Sequence, residues 1–188
     1  MPKPRRVSPS ETALLRLATI VESSDDAIIS KNLDAVITSW NAAAQRIFGY
    51  AEEEAVGKPI TIVIPPELHD EENKILEKLR AGGRIEHFET IRVTKTGKKI
   101  NVSLTISPIK DSSGRIVGIS GIARDITERK RAEVRLHESE EQFRTLAEAI
   151  PQLCWMARGD GYVFWYNQRW YYRHYPGTDA RVGLAVGA

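Results

Sequence analysis

Apolar and polar residues alternate without a break over residues 100–107: Ile100, Val102, Leu104 and Ile106 fall on one face, Asn101, Ser103, Thr105 and Ser107 on the other. A period of two is that of a half-buried strand. Asp111-Ser112-Ser113-Gly114 supplies turn chemistry, because Asp and Ser bond their own backbone and Gly accepts positive φ without steric cost. A second apolar arm with Ile116, Val117, Ile119 and Ile122 follows, so the spacing predicts a hairpin. Gly118 and Gly121 inside that arm mark a bulge or a close backbone approach. The arm runs into Asp125-Ile126-Thr127 and then into a charged helical run starting at Glu128.

Further upstream, the Pro- and Arg-rich residues 1–7 read as a disordered tail. Residues 1–12 together read as disordered or as the start of an N-terminal cap. Ser8-Pro9-Ser10-Glu11 has the form of a capping box. It opens a helix whose Leu14, Leu17, Ala18 and Val21 share one face, and that face needs a partner, either the domain's own sheet or a second chain. Residues 27–41 give two short strands around a turn at Asn32, Leu33 and Asp34. Asn41 then caps a helix with Ile47 and Phe48 on its buried side and Gly49 at its end, and a shorter helix stops at Gly57. After Pro65-Pro66 a charged helix over 67–81 carries the stripe Leu68, Ile75, Leu76 and Leu79, with Gly82 as terminator. A strand over 84–93 pairs with 99–109 across Lys95-Thr96-Gly97-Lys98. The order strand, strand, helices, strand, strand, strand predicts an α+β domain with a five-stranded antiparallel sheet.

Trp40-Asn41-x-Ala43-Ala44, Ile47-Phe48-Gly49-Tyr50, Glu53, Gly57 and Lys58-Pro59 resemble the PAS motif of bacterial sensors in order and spacing. Asp125-Ile126-Thr127 before a charged helix resembles the end of such a domain. The resemblance covers roughly residues 14–127. It implies a PAS fold with helices on one face of the sheet, and a PAS domain with its C-terminal PAC region over 13–127. Trp40, Asn41, Gly49 and Gly57 are then structural motif residues. A pocket between sheet and helices would be lined by Ile29, Ile37, Ile47, Phe48, Ile106 and Ile119, each of which is more safely read as core. The resemblance also gives Asp125, Ile126 and Thr127 a part in signal relay, while Asp125 taken alone is a helix N-cap candidate.

Residues 128–150 contain no Pro or Gly and predict one amphipathic linker helix. A heptad assignment puts Arg129, Leu136, Phe143 and Ile150 at one position and Ala132, Ser139 and Leu146 at another, a seam apolar at five of seven places. It suits a parallel dimer contact or docking on the helix's own domain. An offset of 126 residues places Thr19, Glu22, Asp34 and Asn41 on Thr145, Glu148, Asp160 and Asn167. A second PAS domain therefore begins near Ser139. Residues 171–188 do not resemble its continuation, so 151–188 read as a truncated second PAS domain with an aberrant tail, from truncation or a shifted reading frame. Two strands alone cannot bury Trp155, Val163 and Trp165, which predicts a marginal segment.

The 188 residues give room for one domain and a fragment, or for two small domains, and 41% hydrophobic with 28% charged residues is ordinary for a soluble protein. Net charge is +2 with both signs interleaved, and no basic face carries stacking aromatics, which argues against nucleic acid. The longest apolar runs, 60–66 and 182–188, are too short to span a bilayer, and no secretory signal opens the chain. A single cysteine, Cys154, forms no internal disulfide, and a reducing cytoplasm is the expected compartment.

His69, His87, His137 and Cys154 are the residues that invite chemistry. By resemblance His69 is a haem-ligand candidate. Haem sensors of this type also use an Arg on the following strand, where this sequence has His87-Phe88-Glu89. A flavin photosensor needs a reactive Cys beside Asn and Arg in the central helix, and Cys154 lies elsewhere, on a strand. The expectation is no cofactor. His137-Glu138 superficially suggests a phosphoacceptor, but a PAS-like segment follows it in place of a kinase core. No Gly-rich phosphate loop, nucleophile triad or metal-ligand spacing is present, so no catalytic or metal residue is assigned and no enzyme activity is expected. The sequence predicts a sensory module that binds a small ligand or dimerises and relays a conformational change through its C-terminal helix to a kinase or other output domain. The alternatives are the N-terminal fragment of a sensor histidine kinase without its catalytic domain, for which Ile150-Pro151-Gln152-Leu153-x-Trp155 speaks, and a stand-alone dimerisation adaptor.

Overall fold

The computed structural model describes residues 9–80 and 83–174. The Ser8 cap, the Gly82 terminator and the tail from 175 onward lie outside these residues. The chain divides into two compact units, Met1–Lys130 and Arg131–Ala188.

In the first unit α1 (Pro9–Glu22) leads to the hairpin of β1 (Ala27–Lys31) and β2 (Ile37–Trp40). Helices α2 (Ala42–Phe48), α3 (Glu52–Ala55) and α4 (His69–Arg80) follow, and then β3 (Ile85–Val93), β4 (Lys99–Lys110) and β5 (Ile116–Asp125). All pairings are antiparallel, in the order β2-β1-β5-β4-β3. β5 thus enters between β1 and β4, which brings the end of this sheet's last strand beside its first. The alternation along β4 puts Ile100, Val102, Leu104 and Ile106 inside, with Ile29 and Ile119 on the same face. Phe48, Val63, Ile64, Ile75 and Leu79 cover them from the helical side. Each such large apolar side chain contributes about 1.5–3 kcal/mol by burial. The opposite sheet face leaves Ile91, Ile109 and Ile122 partly exposed.

The 60–68 segment and β3 depart from the pattern-based reading, while Gly118 follows it. The run 60–66 holds a 3₁₀ turn at Ile60–Val63, and Pro66–Leu68 forms another, so α4 starts at His69 and not at Glu67. Two adjacent prolines lack the N–H groups that a regular first turn uses. β3 carries a bulge with His87 at φ 51°, which no residue pattern marks. Gly118 explains its own presence: a Cβ there would sit 3.1 Å from the carbonyl oxygen of Lys31, and the register shift opposite Ile109 and Lys110 lies beside it.

Helix α5 (Thr127–Ala149) begins in the first unit. In the second, β6 (Trp155–Ala157) pairs with β7 (Val163–Tyr166), and α6 (Gln168–His174) follows. The pairs Trp155↔Tyr166, Met156↔Trp165 and Ala157↔Val163 reproduce Ile29↔Trp40, Ser30↔Ser39 and Lys31↔Ile37 at the 126-residue offset, including the register shift. The turns match as well: Gly161 at φ 85° stands where Ala35 adopts φ 61°. Trp155 is 60% exposed and Phe164 50%.

Candidate functional site

Trp40 ends β2 and Asn41 follows it, both buried. The Trp40 indole N–H donates to the carbonyl of Tyr50 (3.1 Å), and its ring packs against Phe48 at 5.5 Å. Asn41 caps α2: its Oδ1 accepts from the N–H of Ala44 (2.9 Å) and of Ile28 (3.0 Å), and its Nδ2 donates to the carbonyls of Val21 and Asp26. One side chain thus ties α1, β1 and α2 together. Glu22 adds a second tie, accepting from the N–H of Ala42. Gly49 at φ 81° and Gly57 at φ 83° end α2 and the α3 turn in the left-handed region, where a Cβ is disfavoured.

Between sheet and helices lies a cavity of about 60 Å³. Of the six candidate lining residues, Ile29, Phe48, Ile106 and Ile119 line it; Ile37 is buried elsewhere in the core, and Ile47 packs half-buried against that core. His69 is exposed at the start of α4, does not line the cavity, and hydrogen-bonds the carbonyl of Ile64 through Nε2 (3.2 Å). Among the described residues no cluster of three or more His, Cys, Asp or Glu is placed to hold a metal ion.

The cavity wall also contains Lys31, Glu72 and Arg92, all buried. Lys31 Nζ donates to Glu72 Oε1, joining β1 to α4. Arg92 Nη1 donates to Glu71 Oε2 (3.1 Å), to the Thr90 hydroxyl and to the carbonyl of Ile91, joining β3 to the same helix. Burial pushes the Lys31 ammonium below its ordinary value, and Glu72 opposes that shift. Burial likewise lowers Arg92 against the pull of Glu71. Sequence reading passed over this wall, although Lys31 has the inward parity of Ala27 and Ile29, and Glu72 stands three residues before Ile75 on the apolar stripe.

The last strand joins α5 through a compact clamp. Asp125 Oδ1 accepts from the N–H of Thr127 (2.8 Å), the first residue of the helix. The Ile126 N–H donates to the carbonyl of Asn101 (2.9 Å), and the Thr127 hydroxyl oxygen accepts from the Asn101 N–H (3.0 Å). Ile126 and Thr127 are buried. Glu89 on β3 pairs with Arg129 (2.5 Å) and Lys130 (2.6 Å), which together hold its carboxyl below the usual range. Next to the clamp, Arg124 makes a bidentate pair with Asp26, whose carbonyl receives the Asn41 amide. Cap, sheet and outgoing helix therefore share one hydrogen-bonded chain. Asn101 and Glu89 were not legible as clamp partners, because both are ordinary outward strand positions. His137 lies exposed on α5, 3.3 Å from Glu141.

Comparison with known proteins agrees with this geometry. "Two-component system protein A" of Emericella nidulans is 35% identical over 111 residues, which cover 58% of this chain and 16% of that protein. "Signal transduction histidine-protein kinase AtoS" of Escherichia coli is 29% identical over 133 residues, 70% of this chain and 21% of that one. The chain thus corresponds to about a fifth or less of these relatives. The crystal structure of a PAS domain from Colwellia psychrerythraea is 26% identical with a TM-score of 0.58, covering 62% of this chain and 98% of that domain. No described helix is long and apolar enough to cross a membrane. The PAS fold profile matches residues 15–126, more than half of the sequence, and the chain belongs to the PAS fold family.

Proposed function

We propose that the first unit is a sensory input module that takes up a small molecule in its cavity and passes the resulting change into α5 through Asp125, Ile126 and Thr127. The observation that carries this reading is the clamp, because the start of α5 bonds to the backbone of β4 at Asn101, and β4 also supplies cavity residues Leu104 and Ile106. A ligand that shifts β4 in one state more than in another biases the helix with it. A homodimer is the natural output geometry: Leu14, Leu15, Leu17 and Ile20 of α1 are each at least 60% exposed, and the heptad residues Leu136, Phe143 and Leu146 of α5 are exposed as well.

The output is a kinase or comparable domain supplied after this stretch, as in a sensor histidine kinase of which the chain is the input part. The likeness to a histidine-protein kinase over 70% of this chain favours that origin. The second unit is then the opening of a further PAS domain, a reading supported by the repeated strand register and turn.

The test is a fusion of residues 1–149 to a histidine-kinase output domain with insertions in the exposed middle of α5. An insertion of about four residues, roughly half a heptad, inverts or abolishes autophosphorylation control, and one of about seven restores it. Output that is indifferent to insertion length contradicts the relay.

A further inference from the structure

We propose that the cavity is a binding site for a short aliphatic carboxylate of acetate to propionate size, held by Arg92 and Lys31. This rests on reading the cavity as the sensory pocket and names its ligand class.

Size comes first. A cavity of about 60 Å³ exceeds the roughly 10–15 Å³ that one water needs and falls well short of the ~150 Å³ that admits benzene. A molecule of about four or five heavy atoms fits. The walls are apolar through Ile29, Phe48, Ile75, Leu104, Ile106 and Ile119, which suits a short hydrocarbon end.

The polar wall sets the other end. The Arg92 side chain is only 5% exposed, and all its hydrogen bonds leave from Nη1. The N–H groups of Nε and Nη2, three of the five a guanidinium carries, make no hydrogen bond among the described residues. Lys31 Nζ donates to Glu72 alone, which leaves two more N–H groups. Glu72 Oε2 is the single carboxylate oxygen of this wall without a bonded partner among the described residues. Donors therefore outnumber acceptors at a buried apolar site, and the complementary ligand brings acceptors without donors. A carboxylate does so, and its planar pair of oxygens matches the Nε/Nη2 edge of a guanidinium. A primary amide of equal size brings two donors and finds few acceptors. Phosphate lacks the apolar end that most of the wall requires.

The same geometry gives occupancy a consequence. A carboxylate at Arg92 competes with Glu72 for Lys31, and Glu72 sits on α4. Binding loosens the tie between β1 and α4, so the bound and free states differ in the packing of that helix against the sheet.

The experiment titrates the 188-residue chain with sodium acetate by calorimetry and by protein-observed NMR, with sodium chloride and acetamide as controls at matched concentration. Acetate is expected to bind saturably, to shift the Arg92 Nε–H signal and to raise the melting temperature, with neither control doing so. Arg92→Lys keeps the charge and removes the fork, and it weakens acetate by at least about tenfold, the loss expected for one charge-assisted hydrogen bond. Ala123→Leu, which fills the cavity from β5 without touching the charges, abolishes binding while circular dichroism stays native. Acetate behaving like chloride, acetamide binding equally well, or Arg92→Lys binding as the parent overturns the proposal. The relay reading fails separately: acetate that binds without altering the output of the kinase fusion leaves this site intact and removes the relay. A fusion that responds to helix insertions while acetate does not bind removes only the ligand class.

Discussion

Replacing Asn41 by alanine removes a side chain that is 2% exposed and makes four hydrogen bonds. Loss of the cap on α2 costs about 1 kcal/mol. The Ile28 N–H, which bonds Asn41 Oδ1 at 3.0 Å at the start of the sheet, loses that acceptor in a half-buried setting, at about 0.5–1.5 kcal/mol. The carbonyls of Val21 and Asp26 belong to equally half-buried residues, where water replaces the lost donor at little cost. The sum is about 1.5–2.5 kcal/mol against a total stability of roughly 5–15 kcal/mol for a domain. Asn41→Ser recovers the cap alone and falls between. Urea unfolding followed by far-ultraviolet circular dichroism gives the difference, and hydrogen exchange at Ile28 locates it. If Asn41→Ala costs less than the cap value of about 1 kcal/mol, or leaves exchange at Ile28 unchanged, the assignment of Asn41 as the joint between α1, β1 and α2 is wrong.

Three further outcomes test other parts of the structure. Gly57→Ala meets open space but a φ of 83°, so backbone strain alone costs about 1–2 kcal/mol, visible as a lower urea midpoint at unchanged slope. Lys31→Met strands the buried Glu72 carboxylate at about 3–5 kcal/mol, while Lys31→Met with Glu72→Leu comes back near the parent; additive losses would contradict the pairing. Because the folded-state pKa of Glu89 is depressed, its contribution is present above the ordinary value of 4.5 and is lost as pH falls through the depressed one. Hydrogen-exchange protection factors at the start of α5, corrected for the intrinsic pH dependence of amide exchange, therefore fall in acid ahead of those of the β4 core, and Glu89→Gln shows the lowered protection already at neutral pH.

The sheet was legible because its signals are local. The period-two run of β4, the Asp111 turn and the Asn41 to Gly49 helix each carry their own chemistry, and the five-stranded antiparallel sheet followed from them together with the family resemblance, though not the spatial order of its strands. The clamp was half legible. Asp125, Ile126 and Thr127 stood out, yet Asp125 accepts from Thr127 just ahead of the first turn, and its setting depends on Asn101, distant in sequence. The charged cavity wall was missed for a different reason. Lys31, Glu72 and Arg92 read as solvated residues by type, and only strand parity and helix spacing mark them as inward. Parity also cannot separate core from cavity, which is why Ile37 and Ile119 looked alike and lie apart. The bulge at His87 depends on how β3 is fitted to the sheet, and no local pattern encodes it.

The central claim is that the Asp125-Ile126-Thr127 clamp transmits the state of the sheet to α5. The direct measurement is autophosphorylation of the kinase fusion carrying Thr127→Val, which keeps shape and removes the hydroxyl that bonds Asn101, compared with Asp125→Ala and with a Thr145→Val control farther along the helix. Both clamp variants are expected to fold, to retain basal kinase activity and to lose the dependence of that activity on the input unit, while the control keeps it. Clamp variants that regulate the kinase as the parent does would contradict the claim.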